Sequence, residues 1–515
     1  MKLMAGVRLS CPTLILSLLV LASLTAPAQS SASPQTVGNV DAALGELQSQ
    51  VHELKQMVLQ LQEQTAESRA EISRLRLELQ AQRSPGGEST ATGDEMSAAH
   101  NSSSLAERLG QVEEDQQLLS AKVDQQEQTK VESASKYRVR FSGLLLFNLF
   151  ANRGQVDNQD VPAVATGPGP GDSSGSVGAT LRQSVLGFEV FGPEVAGART
   201  SGNVNFDFGG GFPSLSNGVN SPLMRLRTAT LRLDWSDTSV VAGQDQLFFA
   251  PLTPTSYASV IEPALSYSGA LWSWTPQIRV EHRFAFSEDS NFMLQGGVLD
   301  PLTGEPPYYY EWYRSPGAGE LSRQPAFAAR ASYSHRLFGQ TFTIGSGGYY
   351  SRQDWLYDRK VNGWAGTLDL NMPLGRRFTL STEGYRGAAI GGLGAGIGRS
   401  VFYNGSLSNA STLVRPLNAV GGWAQLKYRP LPKLEFNGAF GEDNSFAADV
   451  RAFASYAESY GDPTLTRNHT AFGNVIYHPR SDLLFSFEFR RLRTFTIDNE
   501  SYEANQVNMS MGVLF

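Results

Sequence analysis

Charged residues alternate with apolar residues along several segments in the second half of the chain. In PQIRVEHRF, for example, the odd-numbered positions 277 to 283 are polar or charged, and the even-numbered positions include Ile278, Val280 and Phe284. Successive side chains of a β-strand point to opposite faces, so each such segment places its charges on one face. The charged residues that follow this pattern are Arg232, Arg279, Glu281, Arg283, Arg330, Arg336, Glu488 and Arg490. Guanidinium and carboxylate groups on a wetted face can pair with each other and attract passing ions.

Covalent chemistry has few candidate residues in this chain. Cys11 is the only cysteine among the 515 residues, and it lies in a predicted export signal, so disulfides, thiolate metal sites and cysteine nucleophiles are excluded from the mature protein. The histidines after position 136 are His282, His335, His469 and His478. None of them has the spacing of a metal site or a catalytic triad, so we expect no cofactor, no metal and no enzyme. A barrel hydrolase is retained as an alternative.

The N-terminus has the pattern of a secretory signal. Lys2 and Arg8 precede an apolar run at 14–24, and the run is followed by Ala26-Pro27-Ala28, so residues 1–28 are predicted to be a signal peptide. Cys11 precedes the apolar run, which argues against lipid anchoring. No later stretch approaches the roughly 18 consecutive apolar residues of a membrane helix. A membrane-spanning structure would therefore have to be a closed barrel, in which every backbone polar group has a partner.

Two segments with helical periodicity follow the signal. In the first, residues 38–83, apolar side chains recur at intervals of three and four: Leu44, Leu47, Val51, Leu54, Val58, Leu61, Ile72, Leu75 and Leu79. This heptad pattern predicts a coiled coil, and it leaves open whether two or three helices associate. A Gly- and Ser-rich linker at 84–104 separates it from a second helical segment at 105–131. Both segments are interpreted as spacers without chemistry.

From position 136 onward the periodicity changes to two. We predict sixteen strands between 136 and 515, joined by alternating short and long links. This alternation is typical of an up-and-down membrane barrel with short periplasmic turns and long external loops, and less so of a two-sheet sandwich. The predicted fold class is therefore all-β: a 16-stranded antiparallel transmembrane β-barrel preceded by a periplasmic N-terminal α-helical coiled coil. An even strand number places both barrel ends, and hence the coiled coil, on the periplasmic side.

The face of each strand that carries the charged side chains is expected to point into the barrel. A charge on the lipid side costs about 2–4 kcal/mol at the bilayer midplane, and a barrel of this width is too large to be filled by side chains alone. The eight charged residues named above are therefore candidates to line a water-filled pore; the alternative is that they are rim charges that satisfy one another. Residues 136–515 hold 32 basic and 32 acidic residues, and 28 of the basic residues are arginine. We infer a weak preference for anions, with lipopolysaccharide contacts and interior ion pairs as the alternative role for these arginines.

The link between Ala250 and Trp274 is less polar than the other long links. A link of this composition is expected to fold into the barrel and narrow it, with Tyr257, Glu262 and Tyr267 as candidate lining residues. The alternative is a surface loop that packs on a neighbouring subunit.

The predicted barrel contains the segments SVLGFEV, WTPQIRVEHRF and YHPRSDLLFSFEFRR and ends at Phe515. A signal peptide, a coiled coil and a barrel that contains these segments resemble the DcaP-like trimeric porins of Gram-negative outer membranes. The resemblance implies a homotrimer that admits small, often anionic, organic solutes, and it implies that Phe515 is a signal for the barrel assembly machinery. Phosphate-selective porins are similar in barrel design, but they line their channel with lysines as well as arginines, and residues 136–515 contain only four lysines.

The function predicted from sequence is thus an outer-membrane porin for passive diffusion of small hydrophilic solutes, with small carboxylates as examples. Expected partners are outer-membrane lipid and lipopolysaccharide; no nucleic acid is expected. Two further alternatives use the coiled coil, either as a structural tether or as an adhesin. About 45 helical residues would extend roughly 65 Å, far enough to approach peptidoglycan, although the chain contains no recognisable wall-binding module.

Overall fold

The computed structural model describes residues 138–213, 222–305, 314–451, 465–498 and 500–515. The predicted signal peptide, coiled coil, linker and second helical segment all lie outside the described residues. The described region begins at Arg138, the first residue of the first strand.

The main sheet of the described residues is closed and antiparallel and has seventeen strands, two of which share a single position in the barrel. Two short hairpins lie outside this sheet, one pairing Gln155–Val156 with Ala165–Thr166 and the other pairing Val401–Tyr403 with Val414–Pro416. The predicted sixteen-stranded antiparallel barrel is therefore confirmed. The strands are β1 (Arg138–Arg153), β2a (Gly175–Thr180), β2b (Val185–Val195), β3 (Ala198–Asp207), β4 (Arg225–Asp234), β5 (Thr238–Gln246), β6 (Trp274–Ser287), β7 (Ser290–Leu299), β8 (Ala326–Leu337), β9 (Gln340–Asp354), β10 (Lys360–Pro373), β11 (Phe378–Ala388), β12 (Asn418–Leu431), β13 (Leu434–Ser445), β14 (Leu465–Arg480), β15 (Leu483–Thr496) and β16 (Ser501–Leu514).

The barrel closes where β1 pairs with both β16 and the second strand position. Leu144 on β1 is opposite Leu514 on β16 and opposite Val185 on β2b. The terminal residue extends this closure, because the Gly143 N–H donates to the Phe515 carbonyl at 2.8 Å and the Phe515 N–H donates back at 3.1 Å. Closure leaves the barrel sheet of the described residues without a free edge, which removes the hazard of edge-to-edge association.

The second strand position is interrupted at residues 181–184, a feature that periodicity did not predict. The Ser184 hydroxyl accepts the Leu146 N–H at 2.9 Å, and thereby replaces a ladder bond that a continuous strand would supply. The interruption turns Arg182 and Gln183 toward the interior, where both are buried. Arg182 pairs there with Asp160 at 2.6 Å.

Links at one end of the barrel are short, and most links at the other end are long. The short links span 196–197, 235–237, 288–289, 338–339, 374–377, 432–433 and 481–482. At the opposite end, the links are 154–174, 208–224, 247–273, 300–325, 355–359, 389–417, 446–464 and 497–500. The predicted alternation therefore holds except at 355–359 and 497–500, where the strands run on into tight turns. We refer to the two ends as the short-link end and the long-link end.

Apolar side chains cover the outside of the barrel. On β15, Phe485, Phe487 and Phe489 are each 40–47% exposed, whereas the intervening Glu488 and Arg490 are buried. β16 repeats the pattern, with Met509 and Met511 exposed and Ser510 buried. The wall is thus apolar outside and polar inside, the inverse of a soluble protein.

Helical structure is minor in the described residues. It comprises the short α-helices Ala318–Leu321 and Ala447–Arg451 and two 3₁₀ turns, Gly391–Leu393 and Gly396–Gly398. Within the described part of the chain, no helix has the length and apolar character needed to cross a membrane.

Candidate functional site

The link at 247–273, here called the inner loop, runs along the inside of the barrel wall. The Phe249 carbonyl accepts a bond from Thr367 of β10 at 2.5 Å, and the Leu252 N–H donates to Glu383 of β11 at 3.1 Å. Further on, the Thr255 N–H donates to Gln425 of β12 at 3.1 Å.

The inner loop continues around the wall past β15 and β1. Its Ser256 hydroxyl donates to Glu488 at 2.5 Å, its Tyr257 carbonyl accepts from Asn148 at 2.8 Å, and its Val260 N–H donates to Gln183 at 2.6 Å. In order along the loop, the wall residues that hold it are Thr367, Glu383, Gln425, Glu488, Asn148 and Gln183. The loop thus passes slightly more than half of the inner circumference, from β10 to the interrupted strand position.

The loop then doubles back toward β14 and meets a second inward segment. The Ser268 and Thr470 hydroxyls lie 2.7 Å apart, and Asn468 donates to the Tyr267 carbonyl at 3.0 Å. The Trp272 N–H donates to the carbonyl of Leu393, in the link that follows β11, at 3.0 Å. Buried apolar side chains join the two segments to the wall, among them Phe249, Leu271, Tyr349, Tyr385, Ile390 and Leu393.

A continuous polar network covers the wall from β4 to β10. Arg232 pairs with Asp234 at 2.7 Å and with Glu281 at 3.1 Å. Glu281 also accepts from Arg279 at 2.7 Å and from Gln295 at 3.1 Å. Arg279 reaches Asp245 at 2.8 Å. Each arginine of this network therefore has at least one carboxylate partner.

The network ends in a bidentate pair between Arg330 and Asp369. The Arg330 Nε and Nη2 atoms lie 3.0 and 2.7 Å from the two Asp369 oxygens, and the side chains are only 7% and 1% exposed. The pair spans β9, because Gly345 lies between the two residues and has no side chain to obstruct them. Such a two-point contact fixes the guanidinium in one orientation.

A second network covers β12 to β15. Arg490 pairs with Glu488 at 2.8 Å, and both side chains are almost fully buried beneath the inner loop. Asn474 donates to Glu488 at 3.0 Å and links it to Asn437, whose amide donates to Glu435. Glu488 and Arg490 thus anchor the loop to the wall.

Arg283 and Arg336 differ from the other predicted lining residues. Both lie on the inward face of their strands near the short-link end, and both are exposed. Among the described residues, neither forms an ion pair. On the inner face of β12, also toward the short-link end, Lys427 and Arg429 share the single carboxylate of Glu435, at 3.2 and 2.6 Å. The inner face at this end therefore carries excess positive charge.

The three predicted narrowing residues occupy different settings on the inner loop. The Tyr257 ring lies 6.5 Å from the His478 ring, and the Tyr267 ring lies 6.3 Å from the Trp272 ring. Burial raises the pKa of Tyr267 to about 12. Burial likewise raises the pKa of Glu262 to about 7, and the nearby Asp157 carboxylate adds to that rise. Glu262 is therefore the loop residue whose charge changes near neutral pH.

Several residues of this interior were not predicted from the sequence. Asp369 and Glu383 lie on the inward faces of their strands, and pairing the predicted strands in order would have placed Asp369 two strands from Arg330, with β9 between them. Gln183 could not be found this way, because it faces inward only through the strand interruption.

Histidine positions bear on the hydrolase alternative. His282 lies on the outer wall beside Thr238 at 2.8 Å, and His335 is outside as well, 6.5 Å from the Tyr333 ring. His469 contacts Glu442 at 3.4 Å, also outside. His478 lies near the end of β14, which runs on to Arg480. Within the described residues, no group of three or more His, Cys, Asp or Glu side chains could hold a metal ion.

Comparison with solved structures gives the same fold. The chain is similar to the outer membrane channel DcaP of Acinetobacter baumannii, with 17% sequence identity and a TM-score of 0.55 over 74% of this chain and 99% of that one. The resemblance expected from sequence is thereby confirmed at the level of the fold. Weaker likenesses are to an anion-selective porin from Comamonas acidovorans (11% identity, 74% and 100% coverage, TM-score 0.45) and to OmpT, an outer membrane protein of Vibrio cholerae (11%, 75% and 100%, 0.43). No protein-family model and no curated protein sequence matches the chain.

Proposed function

We propose that this chain is an outer-membrane porin of a Gram-negative cell that passes small hydrophilic solutes by passive diffusion. The observation that carries the proposal is the inverted wall: exposed phenylalanine and methionine outside, and arginine, carboxylate and amide groups inside. An apolar band outside and a polar interior are the properties of a transmembrane barrel with an aqueous passage. The DcaP fold supports the same interpretation.

The charge distribution supports a weak preference for anions such as small carboxylates. Arg232, Arg279, Arg330 and Arg490 all have carboxylate partners, which reduce their attraction for a passing anion. The excess of positive charge comes from Arg283, Arg336 and the pair that shares Glu435. A preference that depends on so few groups, all in contact with water and salt, is expected to be modest.

We infer that the inner loop narrows the passage. Its hydrogen bonds to β10, β11, β12, β15 and β1 support this role, because a loop held at so many points occupies space inside the barrel in every molecule. Tyr257, Glu262 and Tyr267 are the proposed lining residues of that loop.

Assembly is proposed on two grounds. The predicted coiled coil requires partner helices, and with the resemblance to trimeric porins it leads us to propose a homotrimer with this segment in the periplasm. The closure pair between Gly143 and Phe515 supports a role for the terminal residue as an assembly signal, since the Phe515 ring also packs 5.2 Å from Phe141. A contact with peptidoglycan through the coiled coil stays a prediction.

Planar-bilayer recording tests the function and its selectivity together. The purified protein should give stable conductance steps, and reversal potentials in asymmetric salt should indicate a small excess of anion over cation permeability. The double variant R283Q/R336Q should lower that permeability ratio, whereas R352Q, which changes an arginine on the outer wall of β9, should not. Absence of conductance would refute the porin proposal; cation selectivity would refute only the anion preference.

A further inference from the structure

A group of arginines lies on the outer wall at the long-link end. We call it the outer arginine cluster, and its members are Arg153 on β1, Arg467 on β14, and Arg491 and Arg493 on β15. Strand register brings them together: Arg493 is opposite His469 and Glu503, and Asn505 on β16 lies between Arg491 and Arg153. Four arginines from three strand positions therefore share one surface.

Carboxylates nearby neutralise only part of this charge. Glu503 is shared by Arg491 at 2.9 Å and Arg493 at 3.3 Å. Glu442 lies 3.4 Å from His469 rather than beside an arginine. Among the described residues, neither Arg153 nor Arg467 forms an ion pair, so the cluster keeps excess positive charge.

The Arg467 guanidinium packs on an aromatic ring, and its Nε atom has no hydrogen-bond partner. Its guanidinium carbon lies 4.0 Å from the centre of the Phe495 ring, and Arg493 lies 4.8 Å from the same ring. The Arg467 Nε atom is buried and has no hydrogen-bond partner. Stacking on an aromatic ring pre-orients a guanidinium and leaves its edge free to bind an anion.

The cluster borders the apolar band. One step further from the long-link end, the outer face is apolar, with Phe489 on β15 opposite Val507 on β16. Charge on the outside of a barrel is costly at the bilayer midplane and almost free near the interface. The cluster therefore marks the level at which the hydrocarbon ends and lipid headgroups begin.

We propose that the outer arginine cluster binds the phosphate groups of a glycolipid in the outer leaflet. Arginine pairs with phosphate through two parallel hydrogen bonds. The adjoining apolar wall would contact the acyl chains of the same molecule, so a ligand with phosphate and acyl chains fits the surface better than a free anion does. The inference rests on the proposed outer-membrane location, with the long-link end facing outward.

Binding of lipid A by the full-length, detergent-solubilised protein tests the site. The probes are bisphosphorylated lipid A, the same lipid after enzymatic removal of its phosphates, and inorganic phosphate, each titrated with native mass spectrometry as the readout. Wild-type protein should bind intact lipid A at least fivefold more tightly than the dephosphorylated form. R467Q/R491Q/R493Q should lose at least fivefold in affinity, and R352Q, which removes an outer-wall arginine on a distant strand, should bind as the wild type does.

Three results would overturn the proposal. These are a loss of less than fivefold in the triple variant, equal binding of dephosphorylated lipid A to the wild type, and displacement of lipid A by inorganic phosphate at equimolar concentration. The second comparison requires no variant, so a folding defect cannot obscure it. Conductance of the same preparations separates the two proposals. Protein that binds lipid A but does not conduct contradicts the porin function alone, and protein that conducts but shows no phosphate-dependent binding contradicts the lipid site alone.

Discussion

Gly345 offers a direct test of the interior ion pair between Arg330 and Asp369. A methyl group added at this position would lie 2.5 Å from the Arg330 Nη2 atom and 2.6 Å from the nearer Asp369 oxygen. Ordinary contacts of this kind begin near 3.4 Å, so one or both side chains must move by close to an ångström. A movement of that size breaks at least one of the two hydrogen bonds, which are 2.7 and 3.0 Å long.

The expected cost of G345A depends on the burial of the pair. A hydrogen bond between charged groups contributes about 1.5–3 kcal/mol, and the loss is at the upper end when the partner stays buried. Alanine loses less backbone entropy than glycine when a strand folds, which stabilises the folded state by about 0.5–1 kcal/mol. We therefore expect G345A to lower the free energy of unfolding by about 1–2 kcal/mol. Gly366, on the neighbouring strand β10, has no atom within 4 Å of the added methyl group, so G366A should be neutral or slightly stabilising.

Urea titration of the detergent-folded barrel, followed by tryptophan fluorescence, measures both variants. The double variant R330Q/G345A supplies the coupling term, because removing the arginine first should make the alanine substitution much less costly. Equal unfolding midpoints for G345A and G366A would refute the reasoning. So would a cost of G345A that is unchanged in the R330Q background.

Three further outcomes are expected from the interior and the closure. S268C/T470C should form a disulfide in the folded protein, measured by thiol titration, because the two hydroxyls lie 2.7 Å apart and the predicted mature chain has no other thiol; free thiols in folded protein would place the inner loop elsewhere. The folded pKa of Glu262, about 7, exceeds its ordinary value of 4.5, so its contribution to stability is complete below pH 4.5 and is lost as pH rises through 7. The negative charge that Glu262 gains over that range should lower the anion-to-cation permeability ratio, and E262Q should abolish this change with pH. If the ratio still changes with pH in E262Q, another group is responsible. G143A should reduce the heat-modifiable, folded fraction, because its methyl group would lie 2.6 Å from the Phe515 ring, and F515A should reduce it too; normal yields from both would argue against the closure as an assembly element.

Much of the wall could be predicted from local pattern. Period-two alternation identified sixteen strands and assigned Arg279, Glu281 and Glu488 to the inner face, because a strand exposes its side chains to alternate sides and lipid tolerates only one of those sides. The alternation of short and long links predicted the up-and-down topology, because link lengths can also be read directly from the order of the strands. The charged partners were harder to predict, since Asp369 reaches Arg330 only across an intervening strand.

Two features depended on contacts far apart in sequence. The inner loop is held by wall residues more than 100 positions away, such as Gln425 and Glu488, and nothing in the composition of the loop specifies those partners. The interruption of the second strand has the same origin, because Gln183 leaves the ladder to bind Ala258 and Val260 of that loop.

The sequence by itself determined that the chain forms a barrel, how many strands build it and which side of each strand is wet, because these properties follow from alternation within a few residues. Only the tertiary structure decided which charges remain free. Arg283 and Arg490 both lie on the inward face of their strands and carry the same guanidinium group. Arg490 is nevertheless neutralised by Glu488 under the inner loop, whereas Arg283 is exposed and has no ion pair among the described residues. The difference arises because ion pairing depends on distances across the barrel, which closure of the sheet and the path of the loop set together.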